Sequence, residues 1–542
     1  MNKNKKIYIA LLIGIVAVSF SFQSRFFEIA KQIEIYNTVF KTININYIDE
    51  INPAEITKNA INHTLENLDP YTRFYNEQQM EEARIRREGE YGGIGISSFY
   101  TYNGIVVAAV KEGFSADKAG LKPGDIIIEV NNQVLKGLEN DELSQMLKGT
   151  PETPVNLTIN RNNTVFKVDL KLDKVIVDPV PFFDMVNETT GYIKLTQFTS
   201  GKATENVKNA FFSLKEKGME KLIFDLRSNP GGSLSDAVNI TNIFIPKGKK
   251  VVDTKGKIKA NSRTYKTSND GLDIEIPIVV LIDDRSASAS EIVSGALQDY
   301  DRAVIMGQRS FGKGLVQRFY TLSYGTQMKA TISKYYTPSG RCIQELDYAS
   351  RDLKTGEVPK FSDNIVNEFS TENGRKVYDG GGVTPDVLIQ LSEKTEETES
   401  LLKSRAIFNY ATNYVKKNPL DNFDGFSFTS TDFSDFTSYL INKDTSFVTP
   451  QEKLFKEAYE TVENSNSINN DYTNIVNTLK QQKVASISKN IDVILPKIED
   501  EIIEQLFYEK GLYAYYLKHD TTIQKAAALL NNPKEYNKIL AK

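Results

Sequence analysis

The sequence predicts an α+β multidomain protein: a helical N-terminal region, a small β-rich domain, an α/β core and an α-helical C-terminal extension. Three observations carry this prediction. The length of 542 residues, with 40% hydrophobic, 25% charged and 10% aromatic residues, gives about three or four globular domains of ordinary composition. Hydrophobic periodicity changes along the chain, from helical spacing to short strands punctuated by Gly and Pro, then to alternating strands and helices, then to helices alone. Breakers fall where the period changes. The division is 1–25, 26–90, 91–172, 173–390 and 391–542.

Residues 1–25 read as a signal peptide or a membrane anchor. Lys3, Lys5 and Lys6 precede an uncharged run of 16 residues from Ile7 to Phe22, and no acidic residue appears before Glu28. That run is shorter than the ~20 residues that span a bilayer. Ser19-Phe20-Ser21 offers small residues at cleavage spacing. The rest of the chain is expected outside the cytoplasm, in the periplasm or cell envelope.

From Phe26 to Arg87 the spacing of Ile29, Ile33, Tyr36, Val39, Phe40 and Ile43 predicts helix, with a turn at Asp69-Pro70. Between Tyr91 and Leu172, Gly104–Val107, Asp125–Val130 and Val155–Ile159 read as strands, and Asp141–Lys148 as a short helix carrying Leu143, Met146 and Leu147. Strands Tyr192–Leu195, Leu222–Leu226, Ile278–Ile282 and Ala303–Met306 alternate with helices at about 202–217, 235–244 and 288–299. Leu315–Tyr320 and Gln327–Tyr336 return to strand, and Ser350–Arg375 is a polar loop. In the extension, Thr449-Pro450-Gln451-Glu452 is a capping box with proline at the first helical position, Asn464–Ser467 a linker, and Pro496 and Pro533 open further helices.

Composition narrows the chemistry. A net charge of −4 gives no electrostatic case for nucleic acid. A single Cys342 forms no internal disulfide. Two histidines, His63 and His519, leave most zinc sites unfilled and a Ser-His-Asp triad little choice of base. Hydrolysis here calls for another base.

Four segments carry candidate chemistry. Ser286-Ala287-Ser288-Ala289-Ser290-Glu291 joins a strand to a helix, where backbone N–H groups and the helix dipole would stabilise an oxyanion. Ser288 with Glu291 three residues on is also a capping box, and taken alone the segment reads as a cap. Phe311-Gly312-Lys313-Gly314 holds a lysine between glycines. From Gly307 it follows a Walker A loop until Gly314 replaces the magnesium-binding Ser or Thr and a strand replaces the helix, so nucleotide binding is set aside. Lys313 is otherwise a solvated surface charge or a general base. A free lysine is neutral about one time in 2,500 at pH 7, a deficit of about 4.6 kcal/mol, and burial lowers a lysine pKa by up to about 3–5 units. Gln317 stands four residues on, where its amide would accept from the amine. Asn229-Pro230-Gly231-Gly232 exposes N–H groups as an oxyanion hole requires, though any tight turn uses these residues. Ser233, which follows, lacks the last glycine of a nucleophile elbow. In the β-rich domain, Gly92-Gly93-Ile94-Gly95-Ile96 and Ala119–Asp125 are glycine turns. The first would bind a terminal carboxylate beside a groove formed with Leu143, Met146 and Leu147, although glycine spacing alone favours ordinary turns.

Taken in this order, the motifs resemble the carboxyl-terminal processing (tail-specific) serine peptidases, from Phe26 to Gln390. The resemblance implies a PDZ domain over 91–172, with Gly93, Ile94, Gly95, Ile96, Leu143, Met146 and Leu147 binding peptide, inserted before a crotonase-like α/β peptidase core at 173–390. It makes Ser288 the nucleophile, overriding the cap. Lys313, 25 residues on, takes the family's place for the base, and Gln317 that of its orienting residue. Gly231, Gly232 and Ala289 supply the oxyanion hole. Tyr335–Arg341 and Gly381–Asp386 are further family-like segments. Ser228 and Cys342 depart from the pattern without touching the dyad. The implied function is a serine endopeptidase that recognises apolar protein C-termini through its PDZ domain and processes or degrades exported proteins, without metal or cofactor. The helical extension would serve a homodimer or an adaptor. A catalytically silent PDZ scaffold in the cell envelope is the rival reading.

Overall fold

The computed structural model describes residues 26–76, 79–80, 84, 89–352, 354–361, 366–390, 392–461 and 466–542. The leader expected at 1–25 lies outside the described residues. Among those described, no helix is long and apolar enough to cross a membrane.

Residues 26–76, with 319–330, form a unit of their own. Residues 26–46 are helical, as the spacing predicts, yet Ile29, Ile33, Tyr36, Val39 and Ile43 are all exposed. Helix Pro53–Glu66 starts on Asn52, whose side chain accepts from the amides of Ala54 and Glu55. Asp69 makes the expected turn by accepting from the amides of Tyr71 (2.9 Å) and Thr72 (2.8 Å). Strand Arg73–Tyr75, absent from the helical expectation, pairs antiparallel with residues 327–329.

The β-rich domain is a sheet of strands Ile96–Thr101, Gly104–Val110, Ile126–Val130, Pro154–Arg161 and Thr164–Lys171 in that order. Its core contains Ile105, Val107, Ile127, Leu157 and Ile159, with Leu143 of helix Asn140–Gln145. Strands Glu90–Gly93 and Asp173–Ile176 pair antiparallel, so the chain enters and leaves side by side.

The core sheet runs in the order Phe182–Met185, Thr190–Lys194, Lys221–Asp225, Ile278–Ile282, Val304–Gly307, Val387–Leu388, and all but the first strand are mutually parallel. Strands buried on both faces read as unbroken apolar runs, of which Ile278-Val279-Val280-Leu281-Ile282 is the clearest. Alternate residues serve the two faces. Leu222, Phe224, Ile278, Val280 and Ile282 pack against the crossover helices Lys202–Glu216, Leu234–Phe244 and Ala289–Asp299. Tyr192, Ile223, Val279, Leu281, Val304 and Met306 point the other way. They are covered by Ile523, Ala526, Ala527, Leu530, Tyr536 and Leu540. These belong to helices Thr521–Leu530 and Pro533–Ile539 and, for Leu540, to the C-cap of the second, at the far end of the extension. Tyr536 fixes them by hydrogen-bonding the amide (2.9 Å) and carbonyl (3.0 Å) of Ile278. The far end of the extension thus packs on the core sheet.

The remaining extension is helical and has its own core of Leu401, Tyr410, Phe436, Ile494, Ile498 and Ile502. Thr449 and Glu452 form the expected reciprocal cap. Pro496 does not open a helix as expected but lies within Ile491–His519. The polar loop after Ser350 contains a strand pair, Glu368–Ser370 with Lys376–Tyr378, too short to show periodicity. The linker expected at 464–467 falls partly outside the described residues.

Candidate active site

Strand Ile278–Ile282 delivers the chain through Ser286 to Ser288, which occupies the N-cap position of Ala289–Asp299 at φ 55°, ψ −109°. A non-glycine residue held at positive φ costs about 1–3 kcal/mol and persists only where its surroundings dictate it. The dictating group is Glu291. Its fully buried carboxylate accepts from the Ser288 amide (2.7 Å), the Lys313 amide (3.0 Å), the Gly312 amide (2.7 Å) and Ser310 Oγ (2.6 Å). The capping reading and the nucleophile reading of this segment are thus compatible. Glu291 holds the backbone of Ser288 and of Lys313 at once.

Tyr335 does the same from the other side. Its buried hydroxyl lies 2.6 Å from Lys313 O and 3.0 Å from Ser288 O, sharing its proton between them. Gly312, at φ 83°, and Gly314 let the neighbouring segment close on Lys313. A Cβ at Gly314 would lie 2.8 Å from the Gln344 amide. Both Ser288 and Lys313 are half-buried. Gln317 donates to Thr331 Oγ1 at 3.3 Å.

The Asn229–Gly232 loop lies against Ser288. Asn229 O accepts from the Ala287 amide (3.0 Å) and Ser290 Oγ (2.9 Å), and a Cβ at Gly231 would lie 2.9 Å from Ser288 Cβ. The three donors expected of an oxyanion hole are not equivalent. The Gly231 amide is committed to Asn229 Oδ1 at 2.9 Å, so its role is to be small. The amides of Gly232 and Ala289 have no acceptor among the described residues. Ser233 is a helix cap, accepting from the Asp236 amide.

Sequence reasoning met Glu291 and Tyr335 but gave neither a role at the site. The signal for Glu291 was its spacing from Ser288. Burial pushes its carboxyl up to about 7, while the hydrogen bonds it accepts pull the other way. A carboxyl above its ordinary 4.5 binds its proton more tightly in the folded chain. The stability this gives is full below about pH 4.5 and is lost as pH rises through about 7. Glu291→Gln turns an accepting oxygen into an NH2 facing amide donors. Hydrolysis is expected to fall about a hundredfold, and thermal unfolding between about pH 5 and 8 should show the parent losing ground to the variant as pH rises.

In the β-rich domain, Gly93, Ile94, Gly95, Ile96, Leu143 and Leu147 line one cavity of about 130 Å³ with Tyr91 and Lys148, while Met146 packs elsewhere in the domain core. The amides of Ile94 and Gly95 have no acceptor among the described residues, as a carboxylate-binding turn requires. His519 lies in the helical extension. It stacks on Tyr515 (4.0 Å) at a second cavity, of about 390 Å³, shared with Asp225, Arg227 and Asp283. Among the described residues no cluster of three or more His, Cys, Asp or Glu could hold a metal ion.

Residues 189–350 match peptidase family S41, residues 82–160 match the PDZ domain, and residues 397–530 match the C-terminal helical domain of probable PDZ-proteases. The carboxy-terminal-processing protease of Bartonella bacilliformis is 34% identical over 318 residues, 58% of this chain and 73% of that one. A probable CtpA-like serine protease of Staphylococcus aureus is 31% identical over 392 residues, 71% and 76% of the two chains. Among solved structures, a photosystem II D1 C-terminal processing protease is 25% identical with a TM-score of 0.37, over 66% of this chain and 92% of the other. Two relatives named as proteases, each matched over roughly three quarters of its own length, establish the kinship: the chain is a serine-type peptidase and belongs to the PDZ-containing carboxyl-terminal processing peptidases of family S41.

Proposed function

We propose that the chain captures protein C-termini in its PDZ groove and cuts an upstream peptide bond with a Ser288–Lys313 dyad. The observation that supports the dyad is the shared clamp: Glu291 and Tyr335 each bind the backbone of both residues. Ser288 Oγ attacks the scissile carbonyl and its proton passes to neutral Lys313 Nζ. The oxyanion forms against the amides of Gly232 and Ala289. The lysine then protonates the leaving amine, and a water deprotonated by the same lysine hydrolyses the acyl-enzyme. Gln317 turns from Thr331 to orient the amine. No metal or organic cofactor enters these steps.

The substrates are exported proteins, a reading that rests on the leader-like residues 1–25. Casein incubated with the parent chain, Ser288→Ala and Lys313→Ala tests the dyad, and activity surviving both substitutions would refute it. C-terminal recognition has a separate test. A peptide substrate whose terminal carboxylate is amidated should show KM raised about tenfold or more with kcat within about twofold, because the lost interaction is remote from the reacting bond. Equal KM values for the two peptides would remove the PDZ groove from the proposal.

A further inference from the structure

The loop that meets Ser288 begins with Arg227, and Arg227 is held from two sides. On the core side, Nε and Nη2 bind the Asp225 carboxylate (Nη2 at 2.6 Å), and the Arg227 carbonyl accepts from Lys194 Nζ at 2.6 Å. Tyr192 Oη donates to the same carboxylate at 2.8 Å. Asp225 is fully buried. Burial alone would raise its carboxyl, but Arg227 and Lys194 hold it well below the usual range. On the other side, Arg227 Nη1 donates to Asp520 Oδ2 at 2.7 Å, and Asp520 belongs to the helical extension.

Asp520 is fixed in its turn. Its Oδ1 accepts from the amides of Thr522 (2.8 Å) and Ile523 (3.0 Å), capping the helix Thr521–Leu530 that lies on the core sheet. One carboxylate thus caps a helix with one oxygen and anchors Arg227 with the other. From Arg227 the chain passes Ser228 at φ 59°, Gly231 at φ 95° and Gly232 at φ 144°. Such a loop keeps its shape only if its ends are pinned. Asp283 pins Ser228 through its amide at 2.7 Å and its hydroxyl at 3.0 Å, and Asn229 binds the nucleophile segment. Asp520 is the pin that the extension contributes.

We propose that Asp520 is a positioning residue for hydrolysis: it fixes Arg227, and through Arg227 the loop that carries the Gly232 amide to Ser288. The inference rests on the reading of Ser288 as nucleophile. It gives the extension a part in catalysis distinct from covering the sheet.

Asp520→Ser separates the two oxygens' roles, because serine still caps the helix but cannot reach Arg227. The readout is the rate at which a fluorophosphonate probe labels Ser288, alongside kcat and KM for a peptide. The full-length Asp520→Ser chain should label about tenfold more slowly, with kcat down by a similar factor, KM within about twofold and the melting temperature nearly unchanged. Asp520→Asn, which keeps an acceptor for Arg227, should fall between parent and Asp520→Ser, and it stands in if the serine variant fails to fold. Arg227→Met should also label slowly, and Asp520→Ser added to it should slow labelling no further. Labelling of Asp520→Ser at the parent rate, or a double variant slower by the product of the two effects, overturns the inference. A parent chain that the probe does not label at Ser288 overturns instead the nucleophile assignment beneath it.

Discussion

Ser288→Ala and Lys313→Ala are each expected to lower casein hydrolysis by about 10⁴-fold or more, and the double variant should be no slower than either single one. Nucleophile and base act as one unit. Without the hydroxyl there is no acyl-enzyme to form, and without a neutral amine the hydroxyl keeps its proton. The energetic demand falls on Lys313, since making an ordinary lysine neutral at pH 7 takes about 4.6 kcal/mol. In the proposed dyad that demand falls to the glycine backbone closing around the lysine, which excludes the water that favours its charge. A Cβ at Gly312 would lie 2.7 Å from Glu345 Cβ, and one at Gly314 would lie 2.8 Å from the Gln344 amide. Lys313→Arg, which keeps the charge but does not deprotonate, should be as inactive as Lys313→Ala. That variant separates a base from a cation that merely binds substrate. Both singles retaining parental turnover would leave a PDZ-bearing chain whose chemistry lies elsewhere. Additive losses would mean that the two residues act in different steps.

What the sequence disclosed and what it hid divide along a physical line. Ser288, Lys313 and the Asn229–Gly232 loop, the proposed nucleophile, base and oxyanion donors, stood out because those tasks are each confined to a few residue types at turns, and three such turns in one order are hard to meet by chance. Strand Ile278–Ile282 was legible because burial on both faces forces an unbroken apolar run. Glu291 was legible only as a cap, because its second task, receiving the amides of Gly312 and Lys313, is set by tertiary approach and not by spacing. Tyr335 stood in a recognisable segment, but a hydroxyl spanning two carbonyls leaves no mark in a sequence. Gly231 misled in the opposite direction. Its amide looked available until Asn229 Oδ1, two residues away, was seen to take it. The extension was the least legible. An amphipathic helix announces that one face needs cover without saying which surface supplies it, so Ile523, Leu530 and Tyr536 read as a tail when they close the core.

That closure makes a chain ending at Asp520 the most damaging deletion available outside the site. Removing residues 521–542 strips helices Thr521–Leu530 and Pro533–Ile539 from the core sheet. It opens Tyr192, Ile223, Val279, Leu281, Val304 and Met306 to water, each at most 2% exposed in the intact chain. Burying one large apolar side chain contributes roughly 1.5–3 kcal/mol. Six of them therefore match the whole stability of a typical domain, about 5–15 kcal/mol. The truncated chain is expected to be insoluble, or to lack a cooperative thermal transition for the core, although Ser288, Lys313, the PDZ groove and Asp520 are all still present. Graded substitutions should scale with the same packing. Ile523→Ala and Leu530→Ala should each cost about 2–5 kcal/mol. Tyr536→Phe, which keeps the ring but loses both hydrogen bonds to Ile278, should cost about 1–3 kcal/mol. Chemical denaturation monitored by circular dichroism reads all three. A soluble chain ending at Asp520 that hydrolyses casein near the parent rate would show that the core sheet needs no second layer, and the helices at 521–540 would then be an accessory to the peptidase and not a part of its fold.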